Sequence, residues 1–188
     1  MKKRNDPKYF LHDRFQTDFD VPSVQHFTDN VMNPCLESTY TFLTTVIEYL
    51  KFQHEKFDNF HQIIHMGGDE VPHYDWNWKE KSVFANSPAC RRLIEKNAAI
   101  PNAKWQTFAP TKFHDLQPYF TKKFMKILID HGFSPAAWEE PWTYGAACAK
   151  NKSRDREMTD CVRPISDFID TDMVNVYAFN WNVDFEFK

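Results

Sequence analysis

The chemistry in this chain is most concentrated in His65-Met66-Gly67-Gly68-Asp69-Glu70-Val71, directly after the apolar pair Ile63-Ile64. The chain has 4 glycines among 188 residues, where average usage gives about 13. Two of the four stand side by side here. Glycines after a strand-like run permit positive φ and an abrupt change of direction. Two adjacent carboxylates follow at once. Neighbouring side chains on a regular strand point to opposite faces, so aiming both carboxylates at one ligand needs an irregular backbone, which the glycines supply. Two carboxylates in one site push their pKa values apart, leaving one as an acid and one as an anion. Glycoside cleavage requires that division of labour. A polar turn is the alternative reading of these four residues taken alone.

The elements that must position this stretch are legible from periodicity. Leu36, Tyr40, Leu43, Ile47 and Leu50 follow the i, i+4, i+7, i+11, i+14 pattern of one apolar stripe, which predicts an amphipathic helix over 36–55. A turn at Lys56-Phe57-Asp58-Asn59 leads to a strand at 61–66 that ends on the motif. Helix, loop, strand, with chemistry at the strand's C-terminal end, is the order of an α/β barrel. Residues 72–86, with His73, Tyr74, Trp76 and Trp78, form a long aromatic and charged loop, either a wall of a substrate cleft or a packed surface loop.

Ser87-Pro88 reads as an N-cap followed by proline at the first helical position, with a short helix to Lys96. His114-Asp115 opens a longer helix with Phe120, Phe124, Ile127 and Leu128 on one face, closed by Gly132 in the C′ position. Ser134-Pro135-Ala136-Ala137-Trp138 is a short small-residue strand, and Val174 to Phe179 a last one. Residues 142–165 read as loop and broken helix. Residues 1–24 form an irregular arm with a short strand around Tyr9–Leu11.

Composition narrows the function class. At 42% hydrophobic the chain is long enough for one domain with a core. Sixteen per cent aromatic residues, with 18 Phe and 6 Trp, serve a core first and can also stack on sugars. A net charge of −3 with interspersed signs gives no support for nucleic-acid or anionic-membrane binding. No run of 18 apolar residues is present to span a membrane. Met1-Lys2-Lys3-Arg4 is followed by Asn5-Asp6-Pro7-Lys8 rather than an apolar run, so no signal peptide is expected. Cys35, Cys90, Cys148 and Cys161 have no close metal-type spacing. They are buried thiols or one or two disulfides.

Taken with its flanks, His65 to Val71 resembles the His-x-Gly-Gly-Asp-Glu signature of family 20 glycoside hydrolases, the β-N-acetylhexosaminidases. Asp29-Asn30 and Asn33-Pro34-Cys35-Leu36-Glu37-Ser38-Thr39-Tyr40 resemble the segment leading into the preceding helix in the bacterial chitobiase branch. Ala137-Trp138-Glu139-Glu140 resembles the Trp-acid segment at the end of the next strand. Gly-Gly-Asp-Glu also resembles the signature turn of diguanylate cyclases, but no counterpart of their other nucleotide-binding segments is found. The family resemblance implies an α/β fold, a partial (β/α)8 TIM barrel covering roughly strands 4 to 6. It implies a single incomplete catalytic domain over 1–188, with 25–182 as the middle of the barrel.

The same resemblance implies roles. Glu70 is the general acid and then the base that activates water. Asp69 is the anion that holds the substrate's 2-acetamido group, whose oxygen attacks the anomeric carbon in place of a protein nucleophile. His65 shapes the site, or is a satisfied core histidine. Trp138 walls the acetamido pocket, or is an ordinary core residue; the second wall, where the branch usually has a tryptophan nearby, is either Tyr177 or absent. Glu139 and Glu140 receive no role. The substrate implied is an N-acetylglucosamine-containing oligosaccharide, cleaved at its terminal non-reducing N-acetyl-β-D-hexosamine, with no cofactor and no metal. Family members are usually periplasmic or secreted.

The family's early strand, with an arginine that binds the terminal sugar, has no match here. Neither do the late strands with a tyrosine and a further pocket tryptophan. Three parallel strands expose two edges, so the expected partners are the remaining barrel segments or further copies of the chain. Two readings stand: the catalytic middle of such an enzyme, or a truncated, inactive remnant that binds or associates.

Overall fold

The structure, a computed structural model, describes residues 11–16, 31–58, 63–68, 84–100, 109–138 and 177–179. In chain order the elements are α1 (Glu37–Lys56), β1 (Ile63–His65), α2 (Pro88–Ala98), α3 (Leu116–Asp130), β2 (Ser134–Trp138) and β3 (Tyr177–Phe179). The strands form one parallel sheet in the order β1-β2-β3. Parallel neighbours need a long crossover rather than a hairpin, and α3 lies in the crossover from β1 to β2. The register pairs His65 with Ala136 and Ala136 with Tyr177.

The apolar stripe of α1 is buried as its period predicts. Tyr40, Leu43 and Ile47 pack with Phe124 and Leu128 of α3 and with Phe133, and Ile64 and Met66 lean on the same cluster. Ile64 and Met66 therefore face the helices, while Ile63 and His65 alternate to the opposite, exposed face. Each large aliphatic side chain buried here contributes about 1.5–3 kcal/mol. The helix begins without a side-chain cap at Leu36. Its entry is fixed instead by Thr39 Oγ1 donating to the Asn33 carbonyl at 2.7 Å and Tyr40 Oη donating to the Pro34 carbonyl at 2.6 Å.

On α3 the buried arc is wider than the predicted stripe. Leu116, Gln117, Pro118, Thr121, Phe124, Met125 and Leu128 are buried, whereas Phe120 and Ile127 are only partly so. The helix packs on α1 and on β2 together, and two contact directions make one stripe too narrow. Its end is as predicted. Gly132 has φ +86°, its N–H donates to the Ile129 carbonyl, and the Phe133 N–H donates to the Leu128 carbonyl, both at 2.9 Å. This is the paired arrangement that closes a helix through a left-handed glycine, with Leu128 and Phe133 in apolar contact.

A second cluster, Phe84, Cys90 and Leu116 with Val31, Cys35, Leu93, Ile94 and Phe113 around it, lies under α2. The first donors of α2 are all accounted for. Pro88 has no N–H, Ala89 N donates to Asp13 Oδ2 at 2.8 Å, and Cys90 N donates to Ser87 Oγ at 3.3 Å. Ser87 in turn donates to Asp13 and accepts from Asn33 Nδ2, each at 3.0 Å. Cys35 and Cys90 form a disulfide, which settles the open question for those two cysteines. Cys148 and Cys161 lie outside the described residues. So do the aromatic loop after Val71 up to residue 83, the loop over 142–165, and Tyr9 and Phe10. Leu11 belongs to no strand, contrary to expectation; its carbonyl accepts the Asn33 N–H at 2.7 Å. No helix among the described residues is long and apolar enough to cross a membrane.

Two predictions follow from this anchorage. The disulfide closes a loop of 55 residues, which by chain entropy contributes about 4 kcal/mol. Urea denaturation of the Cys35→Ala/Cys90→Ala variant should show a loss of that order, and an unchanged midpoint would show that the bridge adds nothing.

Asp13 is 4% exposed. Burial alone raises its pKa, but hydrogen bonds from Ala89 N, Phe15 N and Ser87, with the Arg92 charge, leave it below the ordinary aspartate value. A depressed carboxylate stabilises the fold above its unfolded pKa of about 3.9 and loses that contribution as pH falls through the folded value. Asp13→Asn should therefore cost about 1–3 kcal/mol at pH 7. Its gap from wild type should narrow in thermal melts taken below about pH 4.

Candidate active site

The site is built at the C-terminal end of β1. Strand pairing runs beyond the regular strand, with Met66 N donating to the Ala136 carbonyl at 2.7 Å and Trp138 N donating to the Gly67 carbonyl at 3.4 Å. The chain then turns through Gly67 and Gly68, with φ +70° and +91°. Both values lie where side-chain-bearing residues are disfavoured, so the glycine pair is used as its sequence implied. The turn delivers the chain to Asp69 and Glu70, which lie outside the described residues, as do Glu139 and Glu140.

Two of the predicted residues, His65 and Trp138, meet on one face of the sheet. The His65 and Trp138 rings contact edge to face, with centroids 5.3 Å apart and planes at 71°. Such aromatic pairs are worth about 0.5–1.5 kcal/mol beyond the area they bury. The contact follows from register. His65 pairs with Ala136, and Trp138 is two residues further along the same strand, hence on the same side. Tyr177 occupies the next position of the row His65–Ala136–Tyr177. Three predicted positions from three successive strands thus share one end of the sheet.

His65 is also tied to its own turn, because Gly67 N donates to its Nδ1 at 3.1 Å. That bond uses the Nδ1 lone pair, so the neutral ring carries its proton on Nε2. One residue escaped the sequence reading. Gln117, buried in the first turn of α3, donates from Nε2 to the Gly68 carbonyl. Nothing in the sequence marks it, since a glutamine beside a predicted stripe is ordinary; only the 49-residue separation closed by the fold does.

Comparison with known proteins gives this geometry its context. The model of glycosyl hydrolase family 20, catalytic domain, matches residues 5–159. A beta-hexosaminidase of Vibrio vulnificus is 27% identical over 130 residues, which are 69% of this chain and 13% of that protein. Beta-hexosaminidase B of Pseudoalteromonas piscicida is 29% identical over 118 residues, 63% of this chain and 12% of that protein. Among solved structures, a GH20 exo beta-N-acetylglucosaminidase from Vibrio harveyi in complex with N-acetylglucosamine superposes with a TM-score of 0.51. It is 28% identical and covers 69% of this chain and 16% of that one. The chain spans 12–15% of the length of the curated relatives it matches.

The fold of this family domain and of its solved structures is of the TIM-barrel type, and the parallel sheet with its helices is a partial α/β arrangement of that kind. With a match running from residue 5 to residue 159 and the glycine turn at the end of a parallel strand, the chain belongs to glycosyl hydrolase family 20.

Proposed function

We propose that this chain forms part of the site of an enzyme that hydrolyses terminal non-reducing N-acetyl-β-D-hexosamine residues of chitin-type oligosaccharides. Its three strands stand for roughly the fourth to sixth of the family barrel, within a single incomplete catalytic domain. The observation that carries the reading is the double-glycine turn at the C-terminal end of β1, beside the His65–Trp138 contact and directly before Asp69-Glu70.

The chemistry divides between substrate and protein. Glu70 donates a proton to the glycosidic oxygen as its bond to the anomeric carbon breaks. The acetamido oxygen of the substrate forms the new bond from the opposite face, and Asp69 balances the positive charge that develops on the acetamido group. Glu70, now a carboxylate, takes a proton from water as water opens the cyclic oxazolinium-like intermediate. Two inversions leave the configuration retained. Trp138 offers an apolar face to the acetamido group, Tyr177 completes that wall, and His65 shapes the edge of the pocket.

A second reading is supported by extent: the chain covers 12–15% of its relatives' lengths, and β1 and β3 are the outer strands of the described sheet. Here the chain alone is an inactive piece that binds or associates.

Hydrolysis of a chromogenic N-acetyl-β-glucosaminide by the purified chain separates the two. The expected result is turnover that Glu70→Gln reduces by at least about 100-fold, in the range of general acid–base catalysis. A cooperatively folded wild-type chain without turnover would overturn the enzymatic reading for these 188 residues.

A further inference from the structure

We propose that Gln117 is a positioning residue for the Asp69-Glu70 pair, acting from the first turn of α3 by fixing the peptide group that joins Gly68 to Asp69. The inference rests on the catalytic reading of that pair. Gln117 is 6% exposed, within a helix that is itself anchored in the core. Its side-chain amide donates to the Gly68 carbonyl. That oxygen and the Asp69 amide nitrogen belong to one planar unit, so holding the oxygen orients the backbone on which Asp69 begins.

Gly68 needs an external restraint. At φ +91° and without a side chain, it has more backbone freedom than any other residue type. Its predecessors are restrained from β2, Met66 through the Ala136 carbonyl and Gly67 through Trp138 N. The last peptide before the carboxylates is held instead from α3. The base of this support is rigid. The Gln117 carbonyl accepts Thr121 Oγ1 at 3.0 Å, and the preceding turn is fastened by Asp115 Oδ2, which accepts from Thr111 N, Thr111 Oγ1 and Lys112 N at 2.9–3.0 Å. Misplacement of reacting groups by about 1 Å can cost about 100-fold in rate, so loosening this peptide acts on the chemical step more than on binding.

The test uses the isotopically labelled full chain with two variants. Gln117→Met keeps the length of the side chain and removes the donor. Gln117→Glu can donate only while its carboxyl is protonated. In Gln117→Met the Gly68 carbonyl carbon resonance should move upfield, and the Asp69 amide should exchange about tenfold faster while α3 core amides are unchanged. In Gln117→Glu the Gly68 resonance should match wild type at low pH and depart from it as that carboxyl ionises. A folded Gln117→Met with wild-type Gly68 resonance and Asp69 exchange overturns the proposal. Should that variant not fold, a Gly68 resonance indifferent to the titration in Gln117→Glu overturns it equally.

Where the wild-type chain hydrolyses substrate, Gln117→Met should lower kcat by about 10- to 100-fold with KM moved far less; a loss confined to KM contradicts the proposal. A wild-type chain without turnover counts against the catalytic reading alone, because the resonances still decide whether Gln117 holds the turn.

Discussion

Two adjacent glycines follow β1, and the path of the chain there depends on what restrains them. The backbone must leave the strand's alternation and still arrive at a fixed place. Glycine supplies the departure, since Gly67 and Gly68 both take positive φ. The same freedom works against position, because glycine loses the most conformational entropy on ordering. The fold answers with bonds from outside the turn. β2 reaches Met66 and Gly67 through Ala136 and Trp138, and α3 reaches Gly68 through Gln117. Freedom in sequence is thus turned into a defined path by neighbours distant in sequence.

Those neighbours must themselves be placed. α3 is locked at its end by the glycine closure at Gly132 and along its length by Phe124 and Leu128 against α1. Ala137, fully buried, alternates to the side of Ile64 that faces the helices and leaves room for α3 to lie close on β2. The long return from β1 to α3 is pinned through α2. Its N-terminus is met by Asp13 and Ser87, its flank is bridged to the entry of α1 by the Cys35–Cys90 disulfide, and near its end Asn97 Nδ2 donates to the Pro110 carbonyl at 3.0 Å. The polar anchors are as buried as the apolar ones. A buried carboxylate such as Asp13 is tolerable because each of its oxygens accepts from a donor.

What the sequence made legible was local. The α1 stripe, the Ser87-Pro88 start, the Gly132 stop and the strand Ser134–Trp138 each rest on residues within a turn or two of one another, and each stands in the structure where its pattern placed it. The glycine turn was legible for the same reason. What stayed hidden was long-range. Asp13 bonds to Ala89 across 76 residues, Gln117 to Gly68 across 49, and Cys35 to Cys90 across 55. A polar residue whose partner is that far away carries no periodic mark. The stripe on α3 was misjudged in width because a helix touching two elements buries Thr121 and Gln117 as well as its apolar face. The His65–Trp138 contact depends on register, which only the fold sets.

The tie between His65 and Gly67 bears on what that histidine can do. A ring whose Nδ1 accepts from the turn's own amide can take a second proton there only by losing that bond and setting donor against donor. A proton shuttle must cycle between both states, whereas a shaping residue is best kept in one. His65 is thus held at Nδ1 by the Gly67 amide and by its T-shaped contact with the Trp138 ring.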